Sequence, residues 1–248
     1  MLTIKKFYLA ILIGMIILLI QPHFFKASLA LKKDEAIITE YDEIAKSDNG
    51  DIILYATKMN VNDIYTDFKI DFKGIIYSRP FWINTTNPTW FPEIISEDIN
   101  QDGTKELIIM LTRGTGTGII EREVHVFNIQ NQQLGKLHYE GLVEVLVDDP
   151  IAIVLKNVKT DISSNKATVI IGDKKYTIDI KSLGIQPEVL FSDIYFGNII
   201  NFEIIDNQLV AKVGGIISPS GYIGSNQITY MFKDKMYQAK SIEFNPNE

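Results

Sequence analysis

The chain contains no cysteine. That removes disulfides, thiolate metal ligands and thiol nucleophiles together, so the fold must hold through its core or through an oxygen-bound ion. Histidine is almost as scarce, with only His125 and His138 beyond residue 30. A Ser–His–Asp triad would have to use one of them, yet no G-x-S-x-G elbow occurs and no H-E-x-x-H pair offers a zinc hydrolase. No block of lysine and arginine is present, and nucleic-acid binding needs one. The run Gly114, Gly116, Gly118 lacks the Gly-Lys-Ser/Thr ending of a phosphate loop, and Ile119 stands where a dinucleotide fingerprint needs its third glycine. It reads as a flexible turn.

What is there begins with an export-type segment. Lys5 and Lys6 precede an uncharged apolar run at residues 7–20, which Gln21, Pro22 and His23 end. Ser28 and Ala30 put small residues at the −3 and −1 places of a cleavage site. This is the pattern of a secretory signal peptide over residues 1–30, cleaved after Ala30. The apolar run is shorter than the roughly 20 residues a spanning helix needs. An uncleaved anchor is the rival, and the membrane would then be met only through this segment. Without residues 1–30 the chain loses three lysines and no acid, leaving 21 basic against 31 acidic side chains and a formal charge of −10. Such a surface repels phosphate backbones at long range.

Residues 31–248 read as a single β-rich domain, with a subdivision into 31–147 and 148–248 as an alternative. Residues 31–47 carry Ala36, Ile37, Glu40, Tyr41, Ile44 and Ala45 at helical spacing, with Asp34 as N-cap and Asn49-Gly50 as stop. From Asp51 the pattern turns to strands. Phe68, Ile70 and Phe72 alternate with Lys69, Asp71 and Lys73, and strand-like segments follow at 94–95, 107–111, 142–147, 199–205, 209–213, 228–232 and 240–244. Asp149-Pro150 predicts a second short helix, and Gly172-Asp173 a hairpin turn with Gly first. The fold expected is mainly β, with antiparallel meander sheets and two short helices. Residues 107–134 and the region from Leu209 share an order of strand, glycine loop, strand and polar turn, which leaves a degenerate duplication open.

The most informative stretch is IISEDINQDGTKELIIM, residues 94–110. With Asp98 as position 1, Asn100 falls at 3, Asp102 at 5, Gly103 at 6, Thr104 at 7 and Glu106 at 9. Oxygen-bearing side chains at alternate places around a tight glycine suit a hard cation, which takes six to eight oxygens. Asp98, Asn100, Asp102 and Glu106 offer side-chain oxygens, and Thr104 a backbone carbonyl. Ile109 stands where an EF-hand needs its bidentate acid, so a β-hairpin is expected in place of two helices. The alternative is an acidic turn in which Asp and Asn bond their own backbone.

This stretch resembles the D-x-[DN]-x-D-G-x-x-[DE]-L calcium hairpin of FG-GAP and VCBS-type repeats, which stack as blades in extracellular β-propellers. The motif occurs once, where a propeller would show several copies. The resemblance therefore implies a structural Ca2+ ion and a cell-surface or secreted setting, with a propeller-blade-like hairpin, but not a whole propeller. TRGTGTGIIEREVHVFN and GYIGSNQITY are similar to uncharacterised exported proteins of spore-forming Gram-positive bacteria, and that likeness carries no function.

Phe81, Trp82, Trp90 and Phe91 gather in a proline-broken loop. Exposed, they would form a ligand surface for a cell-wall glycan or a surface protein; buried, they would staple the loop. No residue is singled out as catalytic. Glu121 and Glu123 share a strand face, and a carboxylate pair for polysaccharide hydrolysis stays as the enzymatic alternative. The third alternative is a structural accessory of a secreted assembly.

Overall fold

Leu107 to Leu111 are five consecutive apolar residues, all buried to 1% exposure or less. A strand wet on one face alternates, whereas an unbroken apolar run needs cover on both. The computed structural model describes residues 40–59, 62–163 and 165–247, and its elements fall within the unit Tyr41–Glu248. It supplies both covers. Strand β7 (Glu106–Gly116) sends Ile108 and Met110 into one hydrophobic core and Leu107, Ile109 and Leu111 into another.

The first core lies inside a curled eight-stranded sheet. Strands β6 (Glu93–Glu97), β7, β8 (Ile119–Leu134) and β9 (Leu137–Val147) form one antiparallel meander. A second consists of β13 (Tyr195–Ile205), β14 (Gln208–Ile216), β15 (Tyr222–Lys233) and β16 (Met236–Pro246). They join where Met236 and Tyr237 pair in parallel with Leu146 and Val147. β8 holds β7 along one edge; its other edge takes β9 from Val126 onward and β13 at Ile120 and Glu121. The sheet thus curls back on itself. Helix α1 (Pro150–Asn157) and the small sheet of β10 (Val158–Ile162), β11 (Lys166–Ile171) and β12 (Lys174–Asp179) add Ile153, Val154, Ala167 and Val169 to this core. As the residue pattern predicts, the Asp149 side chain caps α1 by accepting from the Ala152 N–H at 2.7 Å, with Pro150 opening the helix. Gly172 turns the β11–β12 hairpin at φ +57°, a conformation L side chains disfavour.

The second core is covered by a sheet of β1 (Asp42–Lys46), β2 (Ile52–Lys58), β3 (Ile64–Phe72) and β4 (Ile75–Arg79), with β5 (Asn84–Thr85) paired to β3. Phe68, Ile70 and Phe72 pack there against Leu107, Ile109 and Leu111.

One expected element is corrected. Residues 42–46, the end of the helix predicted over 31–47, form strand β1, which pairs with β2 and buries Ile44. Pairing and burial outweigh a weak helical spacing. The described residues therefore hold one α-helix, together with three short 3-10 turns at Pro88–Trp90, Ile180–Leu183 and Pro187–Val189. Residues 31–39 and the whole export-type segment lie outside the described residues. No helix among the described residues is long and apolar enough to cross a membrane. The mainly β fold stands. Both meanders run in the same strand order, with the Asp206-Asn207 turn in the second where the first has its acidic loop.

Candidate metal centre

Glu97 and Glu106 pair across β6 and β7, and residues 98–105 close that hairpin. Every acid in the loop is used by the backbone. Asp98 accepts the N–H of Gln101 at 2.7 Å on one oxygen and that of Gly103 at 3.0 Å on the other. Asn100 accepts from Asp102 N–H and Asp102 from Thr104 N–H, both at 2.8 Å. Gly103, at φ +88°, makes the tight point where a side chain would be strained. Glu106 is 2% exposed and accepts the Ile99 N–H at 3.0 Å. The Asn100 amide nitrogen donates to both Asp102 and Glu106, 3.0 Å from each. The loop thus brings Asp98, Asn100, Asp102 and Glu106 together, while Thr104 is exposed and contributes its N–H.

The charges are less well answered than the hydrogen bonds. Among the described residues no lysine, arginine or histidine pairs with Asp98, Asp102 or Glu106. Burial pushes the Glu106 carboxyl above its usual range; the Ile99 N–H offsets part of that, and nearby Asp102 and Asp98 add to it. Asp102 is held below its usual range by the Thr104 N–H and the Asn100 amide. Tyr237, 1% exposed, brings its hydroxyl beside Glu106 yet makes no hydrogen bond of proper geometry. Burial first, and Glu106 next, raise that phenol far above its ordinary value.

These features set the fit of a cation. The donors are hard oxygens on one buried and two outer carboxylates, and an orphaned hydroxyl stands beside them, which suits calcium. Among the described residues no three acid or histidine side chains converge as a ready cage. The Asn100 amide stands between Asp102 and Glu106, and an ion could enter only if that amide turned.

The predicted aromatic surface divides. Phe81 is 92% exposed, but Trp82 is buried, and Trp90 and Phe91 are half-buried. Phe91 lies edge-on to Tyr65, and the Trp90 carbonyl accepts from the buried Asn84 side chain at 2.9 Å. Trp82 stacks on His125 with ring centroids 4.0 Å apart. His125 faces away from Val124 and Val126, and under Trp82 its side chain is only 11% exposed. Its Nδ1 lies 3.1 Å from Glu144, which also pairs with Arg79 at 3.2 Å.

Glu121 and Glu123 each lie 3.9 Å from Arg113 and line, with Asp148 and Asp149, a cavity of about 240 Å³ between β8, β9 and β13. The sequence carries no local signal for Tyr237 at the loop or for the His125–Trp82 stack, since both join distant segments. No protein-family model matches this chain, nor does any curated protein sequence or any solved structure.

Proposed function

We propose that the chain is an exported β domain, pinned at its β6–β7 hairpin by a calcium ion, that binds a cell-wall glycan or surface protein without turnover. One observation carries the cation reading: Asp98, Asp102 and a buried Glu106 crowd one loop, and among the described residues no cationic side chain answers them. Like charges ~4 Å apart cost on the order of 1–4 kcal/mol at effective dielectrics of 80 to 20. A bound ion removes that repulsion. The resemblance to FG-GAP and VCBS-type hairpins and the apolar segment at residues 7–20 support an extracellular setting, where dissociation constants of about 10⁻⁴–10⁻³ M suffice.

Calcium added to chelated protein tests this. At a hundredfold excess over the dissociation constant it contributes about 2.7 kcal/mol, or roughly 5–10 °C in Tm for a domain of this size. Asp98→Ala combined with Asp102→Ala should abolish the rise. A double variant that still responds puts the ion elsewhere, and an unresponsive wild type ends the calcium reading.

A second reading, polysaccharide hydrolysis by a carboxylate pair, draws on the cavity shared by Glu121, Glu123, Asp148 and Asp149. Cleavage by the wild type that Glu123→Gln and Asp148→Asn abolish would favour it; a wild type without cleavage counts against it.

A further inference from the structure

We propose that the open cavity at the start of β13 is the sugar site of this domain: Tyr195 takes the C–H face of a neutral pyranose ring, and Asp193 and Asn198 take its hydroxyls. This rests on the glycan reading above and deepens it.

The aromatic loop at residues 81–91 does not supply such a site, since its rings other than Phe81 are drawn into the fold. Where the chain enters β13, Phe191, Asp193, Tyr195, Asn198 and the buried Ile194 and Ile216 line a cavity of about 490 Å³. That volume falls within the ~300–1,000 Å³ of small-ligand sites, which combine an apolar wall with a few polar groups. Tyr195 is 53% exposed, although its cross-strand partner Ile216 and its neighbours Ile194 and Phe196 are buried. Its ring offers apolar area with a polar tip.

The backbone is shaped around this cavity. Phe196 pairs with Gly215 and Ile200 with Val213, so Gly197, Asn198 and Ile199 bulge opposite Gly214 alone. Gly197 holds φ +129°, which an L side chain rarely adopts, and a Cβ on Gly214 would come within 2.7 Å of the Ile199 Cβ. Bulges re-aim side chains and recur beside functional sites. The residue re-aimed at this one is the half-buried Asn198, which lines the cavity. The Phe191 N–H donates to the Ile217 carbonyl and the Ile194 N–H to one Asp193 oxygen, both at 2.8 Å, so that stretch of the lining is fixed before a ligand arrives.

The polar groups of the cavity are unengaged. Among the described residues the Asn198 amide, the Tyr195 hydroxyl and the second Asp193 oxygen have no hydrogen-bond partner. The cavity between β8, β9 and β13 differs, for its Glu121 and Glu123 face Arg113 and its Asp149 caps α1. An amide both donates and accepts and a carboxylate accepts, which matches hydroxyls that do both. Among the described lining residues Asp193 alone is charged. On a chain of net negative charge, that carboxylate repels phosphate- or carboxylate-bearing polymers and leaves a neutral sugar as the ligand that fits.

Titration of two neutral tetrasaccharides, one of glucose and one of N-acetylglucosamine, into the full chain tests this, with calcium chloride present and a detergent that carries no sugar. The wild type should bind at least one of them. Tyr195→Ala should weaken that binding about tenfold and Asn198→Ala about 2–10-fold, while Phe81→Ala leaves it unchanged. Wild-type affinity in both Tyr195→Ala and Asn198→Ala overturns the inference and leaves the glycan reading intact. A loss in Phe81→Ala as large as that in Tyr195→Ala does the same, because the sugar would then sit on the aromatic loop. If Tyr195→Ala does not fold, Asn198→Ala decides alone. A wild type that binds neither sugar removes the inference and the glycan reading together.

Discussion

Trp82 lies nearly parallel to His125, with an interplanar angle of 25°, and the Arg79 guanidinium is 5.7 Å from its ring centre. A ring packed this way supports the core and has no face for a ligand. Trp82→Ala should cost about 3–5 kcal/mol in urea unfolding. Phe81→Ala, at the neighbouring exposed position, should stay within about 0.5 kcal/mol of the wild type. Equal costs would contradict the placement. Glu144 beside this stack gives the pH dependence. The His125 hydrogen bond holds its carboxyl below the ordinary 4.5; burial opposes this, and Arg79 adds to the lowering. A folded value below the unfolded one means that the stabilisation is full above the ordinary value and is lost as pH falls through the depressed one. Glu144→Gln should therefore flatten the acid limb of the stability curve below about pH 4.5. An unchanged acid limb would count against the pairing.

Helix α1 is short, and its start depends on one side chain. Asp149→Ala removes the acceptor of the Ala152 N–H and should cost about 1 kcal/mol, read as a lower urea midpoint at unchanged slope. A variant with the wild-type midpoint would show that packing of Ile153 and Val154 alone sets the helix. Elements whose cause is local were legible in the sequence. Asp149-Pro150 starts a helix, Gly172 turns a hairpin, and Phe68, Ile70 and Phe72 mark the buried face of β3. Strand β1 was not legible, because Ile44 and Ala45 fit a helical spacing as well as an edge strand. Only β2 on the neighbouring edge decides between them.

At the scale of the molecule, β7 is the shared wall of two cores, and its unbroken apolar run announced burial without saying what lay on either side. The same distance in sequence hid the neighbour of the loop. The acids from Asp98 to Glu106 were readable from their spacing, since one tight loop holds them. Tyr237 was not, because it reaches Glu106 only once the second meander has paired with the first. Period two likewise set which way His125 points, but not that Trp82 would cover it. The described structure holds the loop with Asn100 between Asp102 and Glu106, and the account requires a second arrangement in which calcium takes that place. A calcium-soaked crystal examined for anomalous scattering tests this most directly. The account predicts one peak among Asp98, Asp102 and Glu106, with six to eight oxygens at about 2.3–2.6 Å and the Asn100 amide turned aside; a loop without a peak, its carboxylates still bonded to the Gln101, Gly103 and Thr104 amides and Asn100 in place, would contradict it.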